Sequence, residues 1–367
     1  MDISGLQNQN RSKDFHLMVH FDAIITTFSE QLNAVRSALI PLFCSKLLEG
    51  AKVVFARCFL SDAANQQKLA DEYLSQFLDC TISYIQQPPL DGSKIALWLH
   101  LQTGVLLNDV EGHSFERNGF THYYTSDRFT EGDSYLQTQN LLEKYERRLN
   151  ILNCSIENNC IRTWFFTRDI EADYSGFVKA RKDNFSRNGL TCETHYIAST
   201  GIEGRDENAL VKVIMDTYII EGLQEGQLKY LYAKEYMSPT HKYGVTFERG
   251  VYIDFGDRRN VYISGTASID KYGRVLYEND VIRQTLRTWE NIEALLHEAD
   301  CDFSDLMQII VYLRDIADYA TVKQLFDEKF LQVPKVIVSA PICRTQWLIE
   351  MECIAAKSIQ NNNFRNY

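Results

Sequence analysis

A chain of 367 residues, 45% of them hydrophobic, has the material for a large buried core and the length for two or three domains. Its 49 acidic against 38 basic residues leave a formal charge of −11, which argues against a surface built to displace the counterions of a nucleic acid. No apolar run approaches the ~18 residues of a membrane span, and residues 1–16 lack a signal core, so a cytoplasmic protein without membrane or nucleic-acid partners is expected.

In chain order, the first predicted helix covers about 28–47. It is followed by the strand KVVFARCFL (52–60), a helix over 63–77, and the strands TISYIQQ (81–87) and KIALWLHLQ (94–102). The same order returns as a helix over 133–150, the strand IRTWFFTRD (161–169), a helix over 173–187, and the strands ETHYIAST (193–200) and ALVKVIMDTYII (209–220). Between these last two strands, STGIEG is too poor in glycine for a dinucleotide fingerprint, and Gly201 and Gly204 are read as turn residues. The aromatic-rich segment 222–245 predicts a packed connector. Beyond it, the period-2 alternation of GVYIDFG (250–256) and NVYISGTASID (260–270) predicts a hairpin turning at 257–260. A helix over 280–299 carries Leu286, Trp289, Ile292 and Leu296 as its apolar stripe. The strand LMQIIVYLRD (306–315), a helix over 318–330, and the strands KVIVSAP (335–341) and QWLIEMECIA (346–355) complete the series, and the polar tail beyond is expected to fray.

One near-repetition organises these elements. TRDIEADYSGFVKARKDNF (167–185) is echoed by LRDIADYATVKQLFDEKF (313–330) and more faintly by CFLSDAANQQKLADEYL (58–74), each running from an apolar strand through an Asp into an amphipathic helix. Three copies imply three modules of order β-β-α-β-α-β-β, each a mixed sheet with two helices on one face, hence an α+β class. The expected boundaries are 1–105, 106–222, a connector over 223–245, and 246–367. The nine cysteines contain no C-x-x-C pair, which predicts buried reduced thiols rather than a zinc site or a disulfide framework. His16 and His20 stand four apart on a strand-like segment with no acid between them, so no metal site is expected there.

On YISGTASID (262–270), RQTLRTWENIEALL (283–296), VYLRDIADYATVKQLFDEKF (311–330) and LIEMECIA (348–355), the third module resembles the Rid family, also called YjgF, whose members form homotrimers with sites at subunit interfaces. On RTWFF (162–166), YIASTGIEG (196–204), KYGVTFERG (242–250), SGTASI (264–269), VYLRD (311–315) and CRTQWLIEMECIA (343–355), the whole chain resembles the chorismatases, which cleave the enol-pyruvyl ether of chorismate. The resemblance implies three Rid-like modules closed on one another as a pseudo-trimer within a monomer, freed from sequence identity. Alignment of the last strands sets Glu350 against Lys212 and approximately Leu97, so the third module alone keeps the carboxylate and a single site is expected.

Glu350 and Glu352, two apart on a strand, point to one face: either a solvated pair on an edge strand, or a functional pair of which Glu350, among apolar neighbours, is desolvated and proton-bearing. In the chorismatases the glutamate at the position of Glu350 is the proton donor, and no cofactor is needed. A substrate with two carboxylates needs guanidinium groups, which bind carboxylates bidentately. The candidates are Arg314, Arg249, Arg344 and Arg162, with Tyr243, Ser264 and Gly265 completing the expected site. Arg168 stands at the Arg314 position in the second module, which also allows that arginine a structural role. The resemblance makes Cys343 the mark of the branch that forms 3-hydroxybenzoate, whereas alanine there accompanies hydrolysis to a cyclohexadiene diol acid. The alternative is a non-catalytic or deaminase-type Rid-like protein that binds a small carboxylate metabolite. Against imine hydrolysis, Pro334 is followed by Lys335 and Val336, where a carboxylate-binding arginine is usual two residues after the proline. A ribonuclease role fits the acidic balance least.

Overall fold

The computed structural model describes residues 1–7, 12–21, 27–108 and 113–367, with Tyr243 described by its backbone alone. The first unit runs β1 (Asp2–Gln7), β2 (Lys13–Val19), α1 (Phe28–Phe43), β3 (Ala51–Leu60), α2 (Ala63–Leu74), β4 (Thr81–Gln86), β5 (Ile95–Thr103), with sheet order β1-β2-β5-β3-β4. The second runs β6 (Leu106–Asn108), β7 (Ser114–Arg117), β8 (Phe120–Arg128), α3 (Ser134–Ile151), α4 (Ile156–Asn159), β9 (Cys160–Thr167), α5 (Ile170–Arg187), β10 (Ala198–Glu203), β11 (Val213–Glu221), ordered β10-β9-β11-β8-β7-β6. The third runs β12 (Leu228–Leu231), β13 (Gly250–Asp254), β14 (Arg258–Ala267), α6 (Val281–Glu298), β15 (Leu306–Leu313), α7 (Tyr319–Lys329), β16 (Lys335–Ser339), β17 (Ile349–Ser358), ordered β12-β13-β14-β17-β15-β16.

The echoed sequence is the β-α-β crossover of each unit. β3 pairs β4, β9 pairs β10 and β15 pairs β16, all parallel, with α2, α5 and α7 between the members of each pair. Its recurrent Asp sits where strand gives way to helix. Asp169 accepts the N–H groups of Glu171 and Ala172, and Asp315 accepts that of Ala317, satisfying donors that a helix start leaves orphaned.

The long strands are buried on both faces, because helices cover one face and the other two sheets cover the second. Leu97, Leu99, Ala56 and Cys58 pack with α1 and α2 in one cluster, and Phe165, Met215 and Val213 pack with α3 and α5 in another. The inward faces of all three sheets meet in a common core containing Phe55, Trp98, Tyr124, Trp164, Tyr218 and Tyr262. Backbone bridges close the ring: Gln86 with Arg205, Pro89 with Val338, and Ala198 with Glu248. The expected pseudo-trimer of Rid-like units is thus the architecture.

Several expectations are corrected. The segment expected as a connector supplies β12 to the third sheet, because Leu228–Leu231 pairs with β13. Gly201 lies inside β10 rather than in a turn, and the strand expected at 193–200 starts at Ala198. Leu286 is 43% exposed; the buried line of α6 passes through Thr285, Trp289, Ile292 and Leu296, and Leu286 is turned ~100° from Thr285 around the helix. The tail does not end loose. Tyr367 is 1% exposed, stacked under the guanidinium of Arg258 at 4.4 Å, and contacts Gln102 and His122 of the first and second units.

Registers also shift the sequence alignment. The N–H groups of Arg314, Arg168 and Ser61 donate to the carbonyls of Leu348, Lys212 and Lys94, which makes these three acceptors equivalent. Counting along the strands, Glu350 corresponds to Ile214 and Ala96, two residues from the expected Lys212 and one from Leu97. The third unit alone still carries a carboxylate there. Glu352 corresponds to Asp216 and Trp98.

Candidate active site

β17 is an inner strand, not an edge: Glu350 lies opposite Ala267 of β14 and Tyr312 of β15. The β14–β17 register slips between Ile263 and Thr266, so Ser264 and Gly265 form a bulge beside Glu350. The two glutamates face the same way but have different surroundings. Glu352 is 1% exposed and fully engaged: Arg162 Nη2 donates to it at 2.6 Å, Trp164 Nε1 at 3.0 Å and the Thr200 hydroxyl at 2.6 Å, while Arg57 Nη1 stands 3.8 Å away. Glu350 is 6% exposed and borders a cavity of about 120 Å³.

That cavity lies between the second and third units. The third supplies Glu350, Gly265, Arg249, Cys343, Arg344 and Trp347; the second supplies Tyr174 and Arg181 from α5 and Ser199 and Gly201 from β10. Phe247, from the segment between β12 and β13, lies 5.4 Å from the Arg249 guanidinium and 6.0 Å from that of Arg181. Among the described residues, three guanidinium groups and one carboxyl therefore face a single small space. Burial, and then the charge of Glu352, push the Glu350 carboxyl up to about 8, while Arg249 and Arg162 pull it the other way. Burial and the charge of Glu350 push the Cys343 thiol up to about 12, so it is a neutral thiol in contact with the Tyr174 hydroxyl.

Arg162, Arg314 and Ser264 stand outside the cavity. Arg162 is fully buried behind it and also donates to the Ile263 carbonyl at 2.7 Å. Arg314 donates to the carbonyls of Trp347 and Ile342 and pairs with Glu171 at 2.9 Å, so it braces the loop before β17. Arg168 does the same kind of work on the carbonyls of Asp206 and Asn208. Ser264 is a strut across the seam: its hydroxyl accepts from Ser199 N–H at 3.0 Å and donates to the Glu248 carbonyl at 2.7 Å. Tyr243 ends a short 3-10 helix, and its side chain lies outside the described residues. Sequence reasoning passed over Arg181, Tyr174 and Trp347. Tyr174 is the repeated Asp-Tyr step of the echo, which was a usable pointer; Arg181 is one helix arginine among several and offered none.

Gly265 is required by proximity. A Cβ there would collide with Glu350 Oε1 and stand 2.9 Å from its Cδ. Gly265→Ala is therefore expected to turn Glu350 out of position and to lower any turnover that depends on it by about two orders of magnitude, the size associated with misplaced reacting groups. Steady-state rates beside a thermal melt check this; an unaltered rate would mean that Glu350 tolerates displacement.

A second polar cluster does not make a metal centre. Asp14, His16 and His100 converge within 4.8 Å, but Trp98 Nε1 donates to His16 Nδ1 at 3.0 Å, which leaves the His16 proton on the nitrogen that faces Asp14. Arg258 stands 3.2 Å from Asp14, and its fixed charge already neutralises the carboxylate. His20 does not join them; it lies past the end of β2 between Asp2 and Asp91, at 3.0 and 3.3 Å.

Three Rid-like units in one chain, with a cavity between the second and third onto which Glu350 is the one carboxyl among the described residues, define a pseudo-trimeric Rid protein. The Endoribonuclease L-PSP family model matches residues 249–357. A RutC family protein of Pyrococcus abyssi is 33% identical over 99 residues, covering 26% of this chain and 78% of that protein. The 2-iminobutanoate/2-iminopropanoate deaminase of Mus musculus is 29% identical over 20% of this chain and 53% of its own. The chain belongs to the RutC, or Rid, family through its third unit. Over 83% of its length the chain shares the fold of a chorismatase crystal structure, which superposes with a TM-score of 0.64 at 15% identity and is itself covered to 93%. Among the described residues no helix is long and apolar enough to cross a membrane.

Proposed function

We propose that the protein cleaves the enol-pyruvyl ether of chorismate, with Glu350 as general acid. The observation that carries this reading is a single proton-bearing carboxyl, raised to about 8, facing a cavity that three arginines share. Glu350 would deliver its proton to the enol-ether methylene, which becomes a methyl group as the adjacent carbon becomes an oxocarbenium ion. Ether cleavage then releases pyruvate. Arg249, Arg344 and Arg181 would hold the two carboxylates of the substrate, while Arg162 and Arg314 act outside the cavity as braces. All the chemistry is acid catalysis and charge complementarity.

The product follows from what happens at the ring. Rearrangement to 3-hydroxybenzoate and pyruvate consumes no water, whereas release of the diol acid consumes it at the oxocarbenium carbon. We assign the first route to this chain because Cys343 borders the cavity as a neutral thiol near Glu350. Chromatography of chorismate digests tests this: wild type should yield 3-hydroxybenzoate and Cys343→Ala chiefly the diol acid. Diol acid alone from wild type would refute the assignment. Residues 1–105, 106–222 and 246–367, with 223–245 adding β12 to the third, are read as the three units of a monomer that needs no partner chain to complete the site.

A further inference from the structure

Among the described residues the first unit places none in the cavity, yet one of its side chains reaches the group behind it. Arg57 of β3 is wholly buried, crosses the inner core, and meets Asp216 of the second unit at 2.8 Å and Glu352 of the third at 3.8 Å. Aromatic faces wall it in, with Trp164 at 4.7 Å and Phe166 at 5.0 Å from the guanidinium carbon. Its Nε and Nη1 have no hydrogen-bond partner, so this cation is held largely by charge. On the other side of Glu352, the Gly265 N–H donates to the Thr200 hydroxyl at 2.9 Å, and that hydroxyl donates to Glu352. Glu352 is thus tied to the backbone bulge on which Glu350 rests.

We propose that Glu352, clamped by Arg162 and Arg57, is a positioning residue that keeps Glu350 in its proton-bearing form, and that the first unit acts on the site through Arg57. Residues two apart on a strand are ~7 Å apart, close enough for a fixed charge in a protein interior to act strongly. Arg162, Thr200 and Trp164 all donate to Glu352, and its negative charge acts on Glu350. The other charged or titratable groups around Glu350 are Arg249, Arg344 and Cys343 of its own unit, Tyr312 on β15, and Arg181 and Tyr174 on α5. Burial is the first cause of the protonated form; the arginines oppose it, and Glu352 is the carboxylate whose charge adds to burial.

This inference rests on Glu350 being the proton donor, but its test needs no substrate. Infrared difference spectra between wild type and Glu350→Gln isolate the protonated-carboxyl band of Glu350, which is then titrated. In Glu352→Gln the midpoint should fall by about one unit or more, since a like charge has been removed. In Arg57→Met it should rise, since the negative field of Glu352 loses a nearby counterweight. Opposite displacements are not the result of a merely structural role. Arg57→Met also strips Asp216 of its partner, so thermal denaturation checks its fold, and the near-isosteric Glu352→Gln decides alone when Arg57→Met does not fold. An unmoved midpoint in Glu352→Gln, or no band assignable to Glu350, overturns the proposal. Displaced midpoints in a protein that releases no pyruvate would retire the chorismate reading and leave this electrostatic coupling standing.

Discussion

Glu350→Gln is expected to lower kcat for pyruvate release from chorismate by about 10²–10⁴-fold, the usual contribution of a positioned general acid. Gln fills the same volume and can donate an N–H, but it has no proton to transfer to carbon. In wild type the same group predicts flat activity at lower pH and loss as the pH rises through about 8, because the acid is useful only while protonated. Linkage adds a separate signature. A carboxyl raised from 4.5 to about 8 on folding leaves stability highest below the lower value and erodes it as the pH rises to the upper one. Glu350→Gln should therefore unfold no more readily than wild type at pH 8 while being nearly inactive. A variant that melts early and loses activity in proportion would assign Glu350 a structural role instead.

Arg162→Leu is expected to give the largest loss of stability. Arg162 donates to Glu352 at 2.6 Å, to Thr200 at 2.7 Å and to the Ile263 carbonyl at 2.7 Å, and its guanidinium carbon lies 4.6 Å from the Trp164 ring centre. Leucine cannot replace these donors, and Glu352 would be left with only the distant Arg57 as a cation in a core that water does not reach. Breaking one member of a buried ion pair costs about 3–5 kcal/mol, more than pairing the two contributed, because the survivor keeps its desolvation penalty. Denaturant unfolding measures this. Arg162→Leu/Glu352→Leu, which removes both charges, should recover much of the loss; equal destabilisation of single and double variants would mean that Arg162 acts through packing alone.

The modular plan was legible because its carrier is local. A strand, an Asp cap and an amphipathic helix can be recognised within twenty residues, and the echo at 167–185 and 313–330 marks the same crossover in two sheets. Cys343, Arg344 and Glu350 could be grouped because they flank one strand start, and they border one cavity with Arg249 and Gly265. The register of β11 was not legible. VKVIMDTYII is apolar on both faces because both are covered, so alternation could not choose between Lys212 and Ile214 as the counterpart of Glu350. Arg162 and Arg57 were opaque for a related reason: an arginine in an apolar strand reads as a ligand or an outlier until its partner, 190 residues away for Arg162, is brought opposite. Tyr367 shows how composition can mislead, since one aromatic ring at the end of a polar tail is enough to pin it among three units.

The most direct test of the account is release of pyruvate when the purified chain is given chorismate, followed by coupling to lactate dehydrogenase. The account predicts steady release without added metal or organic cofactor, stoichiometric with chorismate consumed and declining as the pH passes about 8. Intact chorismate after prolonged incubation at pH 7, with a folded protein, would contradict it and return the cavity to the role of a binding site for another small carboxylate.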